Sequence, residues 1–419
     1  MLLDDCLAER DVPRDVSTPR WKNLLLSRLD QNVLILALWS VPVSIALAET
    51  FLVLAILART WRLIRRRAEL FLPTCFWYWL LWAALEVVVC IFSPQPLLGW
   101  GEIRHLLLGG TLFLVLPTLN RSADVRIVWQ GIFLTATLSS LFLIGDFASR
   151  ASVYHREIAA GGNVGLYLRS GGLLNHWMVY GTVEIVVIAG LLAFFSVYPG
   201  QWRRWWPVVG VNVVAVVLSL TRMIWAAGGL LLAIDLAWRR SKWIWALPAL
   251  PLILYALAPN AVRLRVKESS NLGYYTNLER LQMLRVGWRM VGEHPLTGVG
   301  PGRVDQLYTR YLSPRDPVPA WHGHLHNNLA QMAAEFGIPV TLAAVLFIIF
   351  AFRDLRNAWR AAGSKEEQFV VRSALYALVG FVFAGLFEYT YGHSLGLILI
   401  GFAVVAALSS VRMNRWPQP

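Results

Sequence analysis

Charged side chains are scarce in this sequence, since Asp, Glu, Lys and Arg together make up 15% of its 419 residues. A soluble domain usually carries charge on about a quarter of its positions. The sequence instead contains long apolar runs; 57% of its residues are hydrophobic, and its mean hydropathy is +0.53. This shortage of charge argues against an ordinary soluble globular protein and predicts an integral membrane protein with many spans.

Cysteine is also rare, with three residues at Cys6, Cys75 and Cys90. None of them lies in the long polar segment that follows the apolar run ending near residue 259. That segment can therefore contain neither a disulfide framework nor a cysteine-based metal site.

Ten apolar runs are candidate membrane spans. They cover residues 33–58, 70–93, 104–119, 127–146, 176–198, 206–238, 243–259, 327–352, 369–388 and 393–411. The run 206–238 is too long for one span and contains Thr221-Arg222, so it should be two short helices; the run 33–58 contains Pro42 and can also be a broken pair. Clusters of Lys and Arg lie near residues 62–67, 203–204, 239–242, 353–360 and 412–415. If both runs are counted as hairpins, all of these clusters fall on one side of the membrane, which predicts about 12 spans with both termini cytoplasmic.

The long polar segment then lies outside the cytoplasm, and its charge is unusual for that side. Residues 263–316 contain nine Lys or Arg residues against five Asp or Glu residues. Loops longer than about 60 residues escape the positive-inside bias, so this charge is permitted. An anionic ligand is the simplest reason for it.

An amphipathic helix is predicted from Asn277 to Val291, with Arg280, Arg285 and Arg289 along it. These arginines can lie among lipid headgroups, or they can bind the phosphate of a lipid-linked substrate through their planar guanidinium groups. The following segment, 294–302, is rich in Gly and Pro. It predicts a structural turn, although its backbone amides could also bind an anion.

Three histidines at alternate positions, His322, His324 and His326, come just before the span that begins at Asn327. They could bind zinc from an extended strand, but they have no nearby Cys or acidic partner. His326 is also suited to be a general base, because the ordinary pKa of histidine lies near neutrality. His324 and Asn327 are possible substrate-binding residues beside it.

Charged residues inside apolar runs are costly and are therefore candidate functional residues. Arg222 is the strongest of these, although its side chain could also extend to the outer headgroups. Arg169 is a weaker candidate at the medium outside loop near 148–175. Three acidic residues in or near spans are expected to pair with arginines, and these are Glu86, Glu184 and Glu388.

Three motifs in this order resemble those of the O-antigen ligase and O-antigen polymerase superfamily of bacterial envelope enzymes. They are Ser219-Leu-Thr-Arg222 in a span, Arg280 fifteen residues before Pro295 in a His-Pro-Leu-Thr-Gly-Val-Gly segment, and His326-Asn327 followed by nine residues and Gly337. The family often has Trp four residues after its arginine, where this chain has Leu284. Arg285 is therefore a second candidate beside Arg280.

The resemblance implies an all-α polytopic protein of the bacterial inner membrane, with about 12 transmembrane helices and one large periplasmic loop that contains helices. The corresponding regions are a cytoplasmic tail (1–32), transmembrane helices (33–259), the periplasmic loop (260–325), further transmembrane helices (326–411) and a second cytoplasmic tail (412–419).

The implied reaction transfers polysaccharide from an undecaprenyl-diphosphate carrier to a sugar hydroxyl of the lipid A–core, without a metal or another cofactor. His326 would be the general base, and Arg222, Arg280 and Arg285 would bind the diphosphate. Membrane lipids surround such a protein, and no nucleic acid takes part.

Two relatives within the superfamily share this logic: O-antigen polymerases and protein O-oligosaccharyltransferases. The modest size of the medium outside loop favours a ligase, because polymerases tend to have a second large Arg-rich loop. A transporter of anionic lipids is a further alternative. It would be expected to place its charges at the bilayer midplane between internal repeats, and this sequence contains no visible repeat.

Overall fold

The structure is a computed structural model that describes residues 29–65, 68–159, 168–174, 176–271, 273–314, 316–319 and 322–412. Within these ranges the regular elements are helices, and no strand occurs. The prediction of an all-α protein is therefore confirmed for the described part of the chain.

The α-helices are numbered in chain order. They are α1 (Leu29–Ser40), α2 (Ile45–Ile64), α3 (Thr74–Ile91), α4 (Pro96–Glu102), α5 (Arg104–Val115), α6 (Ser122–Ala159), α7 (Trp177–Val197), α8 (Trp202–Leu218), α9 (Arg222–Trp238), α10 (Ala249–Leu257), α11 (Asn260–Ser270), α12 (Tyr275–Glu293), α13 (Val304–Leu307), α14 (Asn328–Ala361), α15 (Lys365–Ala384), α16 (Ser394–Gly401) and α17 (Ala407–Arg412). A π-helical segment, Phe402–Ala406, joins α16 to α17 without a break in the run.

Six helical runs among the described residues are long and apolar enough to cross a membrane. They are α3, residues 122–151 of α6, α7, α14, α15 and the run Ser394–Val411. Within an apolar window of 18 residues in each run, 72% of the residues of α7 and 83% of those of the last run are buried inside the protein, whereas the share for α3 is 28%. The protein is a multi-pass membrane protein in which α7 and the last run are central, and α3 lies at the periphery.

Both runs that were predicted to be broken are indeed divided. The first divides at Pro42 into α1 and α2, and the second divides at Ser219–Thr221 into α8 and α9. The run 243–259 does not form one helix, because a short 3-10 segment precedes the nine-residue α10. At 1.5 Å per residue, α10 is about 14 Å long, less than half of the roughly 30 Å hydrocarbon core.

Large aromatic side chains fill the interior between α6, α7 and α15. Trp129 and Phe133 of α6 lie against Phe194 of α7 and Phe369 of α15, all fully or almost fully buried. Gly190 of α7 permits this packing, because a Cβ there would lie 2.5 Å from the Trp129 ring. These contacts fix the central helices, whose ends lie near the candidate active site.

Helix α14 consists of two segments that meet at Gly337. This glycine has φ +84 and ψ 177, so the segment 328–336 ends there and a second helical segment begins at Ile338. The second segment, 338–361, is about 36 Å long and can cross a membrane alone. Pro339 lies in its first turn, where no backbone N–H is required.

The turn-rich segment after α12 caps the end of the first segment of α14. Val299 N–H donates to Ala334 O at 2.8 Å, and Gly300 N–H donates to Glu335 O at 3.0 Å. These bonds satisfy carbonyls that a helix end leaves without partners. The segment therefore acts as a structural turn, and the two motifs of the resemblance pack directly against each other.

Replacing Gly337 by Ala should destabilise the protein strongly. The new Cβ would lie 2.4 Å from Leu296 O, and the positive φ alone costs on the order of 1–3 kcal/mol for a non-glycine residue. Thermal unfolding of the detergent-purified protein should show a clearly lower Tm. Gly210→Ala is the control, because no atom lies within 4 Å of its Cβ position and alanine favours a helix. Equal Tm values for the two variants would contradict this packing of α14.

Candidate active site

His326 lies between the long polar segment and α14, and its imidazole contacts the carboxylate of Glu388. Its Nδ1 is 2.5 Å from Glu388 Oε1. The backbone of His326 is left-handed, with φ 48, a conformation that is costly for a non-glycine residue and often marks a functional site. Because a carboxylate accepts a hydrogen bond from Nδ1–H, this contact favours the tautomer whose Nε2 carries the lone pair.

The following residue, Asn327, holds this backbone in place. Its side-chain oxygen accepts from Ala330 N–H at 2.9 Å as the N-cap of α14. Its side-chain nitrogen donates to Leu386 O at 2.9 Å. Asn327 stays a candidate substrate-binding residue, and its contact with Leu386 also holds the backbone beside His326 against the segment that carries Glu388.

Glu388 joins His326 to Arg280. It follows α15, is 3% exposed, and its Oε2 lies 3.1 Å from Arg280 Nη2. Arg280 also donates from Nη1 to Phe387 O at 2.8 Å. Burial alone would raise the pKa of Glu388, but the hydrogen bond from His326 and the nearby positive charges lower it to about 2. Glu388 is therefore an ionised carboxylate with a cationic partner on one side and an imidazole on the other.

Arg222 comes from the first residue of α9 and reaches the first turn of α12. Its Nη1 donates to Asn277 Oδ1 at 2.6 Å, and its Nη2 lies 3.4 Å from Thr276 Oγ1. Asn277 and Arg280 are three residues apart on α12 and therefore share one side of that helix. The structure brings Arg222 and Arg280 to the same region.

Arg169 completes this cationic region from the segment before α7. Its guanidinium lies 5.4 Å from the Trp177 ring, and its Nε is buried without a hydrogen-bond partner in the described part of the chain. Burial, followed by the charges of Arg265, Arg222 and Arg280, lowers the pKa of Arg169 to about 10. Four arginines that repel one another around an unpartnered N–H give a cationic region to which an anion can bind.

Arg265 belongs to this group, although sequence reasoning did not select it. It is 6% exposed, donates to Glu268 Oε2 at 2.7 Å and to Leu220 O at 3.4 Å. The sequence of α11 gives no signal for it, since Arg263, Arg265 and Lys267 are all cations of one short helix. Only the burial of that cation distinguishes it from Lys267, which is exposed.

Arg285 does not join this group. Residues five apart on a helix differ by about 140° in direction, so Arg285 lies on another side of α12 from Arg280. It is exposed and lines a groove between α12 and α14. Between the two candidates that the sequence left open, the contact with Glu388 distinguishes Arg280.

The three histidines do not share one face. His322 lies 2.7 Å from Asp305 and stacks on Tyr308, away from the other two. His324 accepts from the His326 backbone N–H at 3.3 Å, and burial, followed by the charge of His326, lowers its pKa to about 3, so it is neutral near pH 7. His324, His326 and Glu388 together offer three ligand atoms within 4.8 Å of one another. Arg280 occupies the second oxygen of Glu388, and its positive charge disfavours a divalent cation there.

Glu86, Glu184 and Glu388 were expected to pair with arginines, and the first two have no arginine partner among the described residues. Glu86 lies 3.0 Å from His105 and accepts from Trp82 Nε1 at 2.6 Å. Both carboxylate oxygens of Glu184 are buried without a hydrogen-bond partner in the part of the chain that the structure describes. The expectation holds for Glu388, through Arg280.

Residues 207–345 match the family model described as O-Antigen ligase. The matched range includes Arg222, Arg265, Arg280 and His326, and it ends before Glu388. No curated protein matches the chain. The family match confirms the resemblance that the three motifs gave.

Replacing Glu388 by Gln should destabilise the protein at neutral pH. Because the folded state lowers the pKa of this carboxyl from 4.5 to about 2, its charge stabilises the fold above the unfolded pKa and that contribution is lost as the pH falls toward 2. A shift of this size corresponds to on the order of 3 kcal/mol. The Tm of the variant should lie below that of the native protein at pH 7, and the gap should narrow between pH 5 and pH 3.

Glu293→Gln is the matched control, because Glu293 is an exposed carboxylate that contacts Tyr311 at 2.9 Å. Its Tm should stay close to that of the native protein at each pH. A gap for Glu388→Gln that does not change with pH would count against the ionised bridge.

Proposed function

We propose that this protein is a glycosyltransferase of the O-antigen ligase type. It transfers polysaccharide from an undecaprenyl-diphosphate carrier to a sugar hydroxyl of the lipid A–core, at the periplasmic face of the inner membrane. The observation that carries the proposal is the bridge in which Glu388 contacts both His326 and Arg280. That bridge supports the proposal, because the reaction requires a base beside a cationic region and His326 and Arg280 share one carboxylate.

The base step begins at His326. Its Nε2 takes the proton from the acceptor hydroxyl, whose oxygen forms a bond to the anomeric carbon of the donor sugar. The bond between that carbon and the phosphate oxygen breaks, and the electron pair leaves with undecaprenyl diphosphate. Glu388 stabilises the imidazolium that forms, because its carboxylate is ionised and buried at 2.5 Å from Nδ1.

The arginines act on the leaving group. Arg222 and Arg280 lie on adjacent elements, and their guanidinium groups can bind phosphate oxygens in pairs. Charge on the diphosphate grows as the glycosidic bond breaks, so cations fixed there lower the barrier. Arg169, with its unpartnered Nε, is a third ligand for the same diphosphate.

The proposed topology has about 12 spans, with residues 260–325 forming the periplasmic loop. Helices α11 and α12 of this loop contact the start of α9 and the segment after α15 through Arg265, Arg222 and Glu388. These contacts support a reaction at the boundary between loop and membrane. The lipid-linked substrates can reach that boundary from within the bilayer.

Replacing His326 by Ala should abolish ligation, because removal of a positioned base slows a reaction by about 10²–10⁴-fold. Arg280→Ala and Arg222→Ala should each lower it by roughly 10²–10³-fold, as expected when a charge-stabilising donor is lost. The measurement is a lipopolysaccharide gel of a ligase-null strain that carries each variant at matched expression. The variants should leave the core without polysaccharide.

Lys267→Ala is the control, since Lys267 is an exposed cation in the same loop and should leave the polysaccharide ladder unchanged. A normal ladder from His326→Ala would overturn the mechanism. A core carrying a single repeat unit would instead identify a polymerase. Activity of the purified protein should persist in the presence of a chelator, and its loss there would support the metal alternative at His324, His326 and Glu388.

A further inference from the structure

A groove of about 760 Å³ lies between α12 and the two segments of α14. It is open to the outside of the protein, and α12 contributes Leu284, Arg285 and Trp288 to its wall. The opposite wall contains Leu329 of the first segment of α14, with Ile338 and Leu342 of the second. The kink at Gly337 separates these segments, so the groove exists because α14 is broken there.

The groove combines an apolar wall with a cation at one edge. Trp288 is 76% exposed and Leu342 is 57% exposed, which is costly in water and favourable against hydrocarbon. Arg285 is exposed and forms no hydrogen bond or ion pair within the described residues, whereas its neighbour Arg289 donates to Tyr311 O at 2.7 Å. The apolar wall suits acyl chains, and the unpartnered arginine at its edge suits a phosphate. The groove therefore complements a lipid whose headgroup carries a phosphate.

The groove begins next to the candidate base. Leu329 and Ala330, which line it, follow His326 by three and four residues. A lipid seated there would place its headgroup beside His326. The cationic region of Arg222 and Arg280 lies on a different side of α12, so the helix separates two sites that each suit a phosphate-bearing lipid.

We propose that this groove binds the acceptor, a phosphorylated acyl-disaccharide glycolipid of the lipid A type. Its acyl chains lie against Trp288, Ile338 and Leu342, and its phosphate contacts Arg285. The identity of this occupant rests on the proposed function, because a transferase that joins two lipids needs a second lipid site beside its base. Arg285 is then a ligand for the acceptor, whereas Arg222 and Arg280 bind the diphosphate of the donor.

The test places a photoactivatable benzophenone side chain at Leu342 of the full chain. The protein is reconstituted in phosphatidylcholine vesicles that contain lipid A, dephosphorylated lipid A or phosphatidylglycerol, and the lipid adducts are identified by mass spectrometry. We expect the lipid A adduct to predominate. It should fall about tenfold on Arg285→Gln or on removal of the phosphates, because a charge-assisted hydrogen bond contributes that much binding.

The control carries the same probe at Leu57, an exposed apolar residue of α2, and should give adducts without preference among the lipids. An equal yield of phosphatidylglycerol and lipid A adducts at Leu342, or a yield unchanged by Arg285→Gln, would overturn the proposal. Combining the probe with His326→Ala separates this inference from the proposed function. Selective adducts should persist there while ligation is lost, and continued ligation would refute the mechanism without affecting the groove.

Discussion

The buried carboxylate of Glu388 holds the site together. An ionised group in a largely buried position is costly unless it is paired and hydrogen-bonded, and this one contacts His326 on one oxygen and Arg280 on the other. These three residues come from distant parts of the chain: the segment after α15, the end of the polar segment, and α12. The carboxylate thereby favours one tautomer of His326 and holds the guanidinium of Arg280 with the same charge.

Close backbone packing provides the second constraint. The turn after α12 contacts the end of the first segment of α14 through Val299 and Gly300, and Gly337 permits that approach with a left-handed backbone. The same turn therefore positions α12 against α14 and creates the groove on one side of α12. Arg222 and Arg280 lie on another side. The proposed base and both proposed lipid sites therefore depend on the position of α12, which contacts Arg222 near its start and α14 through the turn after its end.

Periodicity and spacing allowed much of this arrangement to be predicted. The apolar runs predicted an all-helical membrane protein, and Pro42 and Arg222 marked two of the breaks, because proline and a buried charge are both unfavourable within a span. Residues brought together across the chain were harder to recognise. Arg265 has the same appearance in sequence as exposed Lys267, and the N-cap contact of Asn327 was not recognised. His322 lies apart from His324 because the backbone does not continue as a strand there.

The sequence by itself determined the composition of the site: a histidine at the start of a span, arginines in the polar segment and one arginine within an apolar run. These features are local, since they follow from residue type, spacing and hydropathy. Only the tertiary structure decided which arginines converge, because Arg280 and Arg285 differ in direction around α12 and not in chemistry. The tertiary structure also decided that Glu388, more than sixty residues after His326, is the group that links His326 to Arg280.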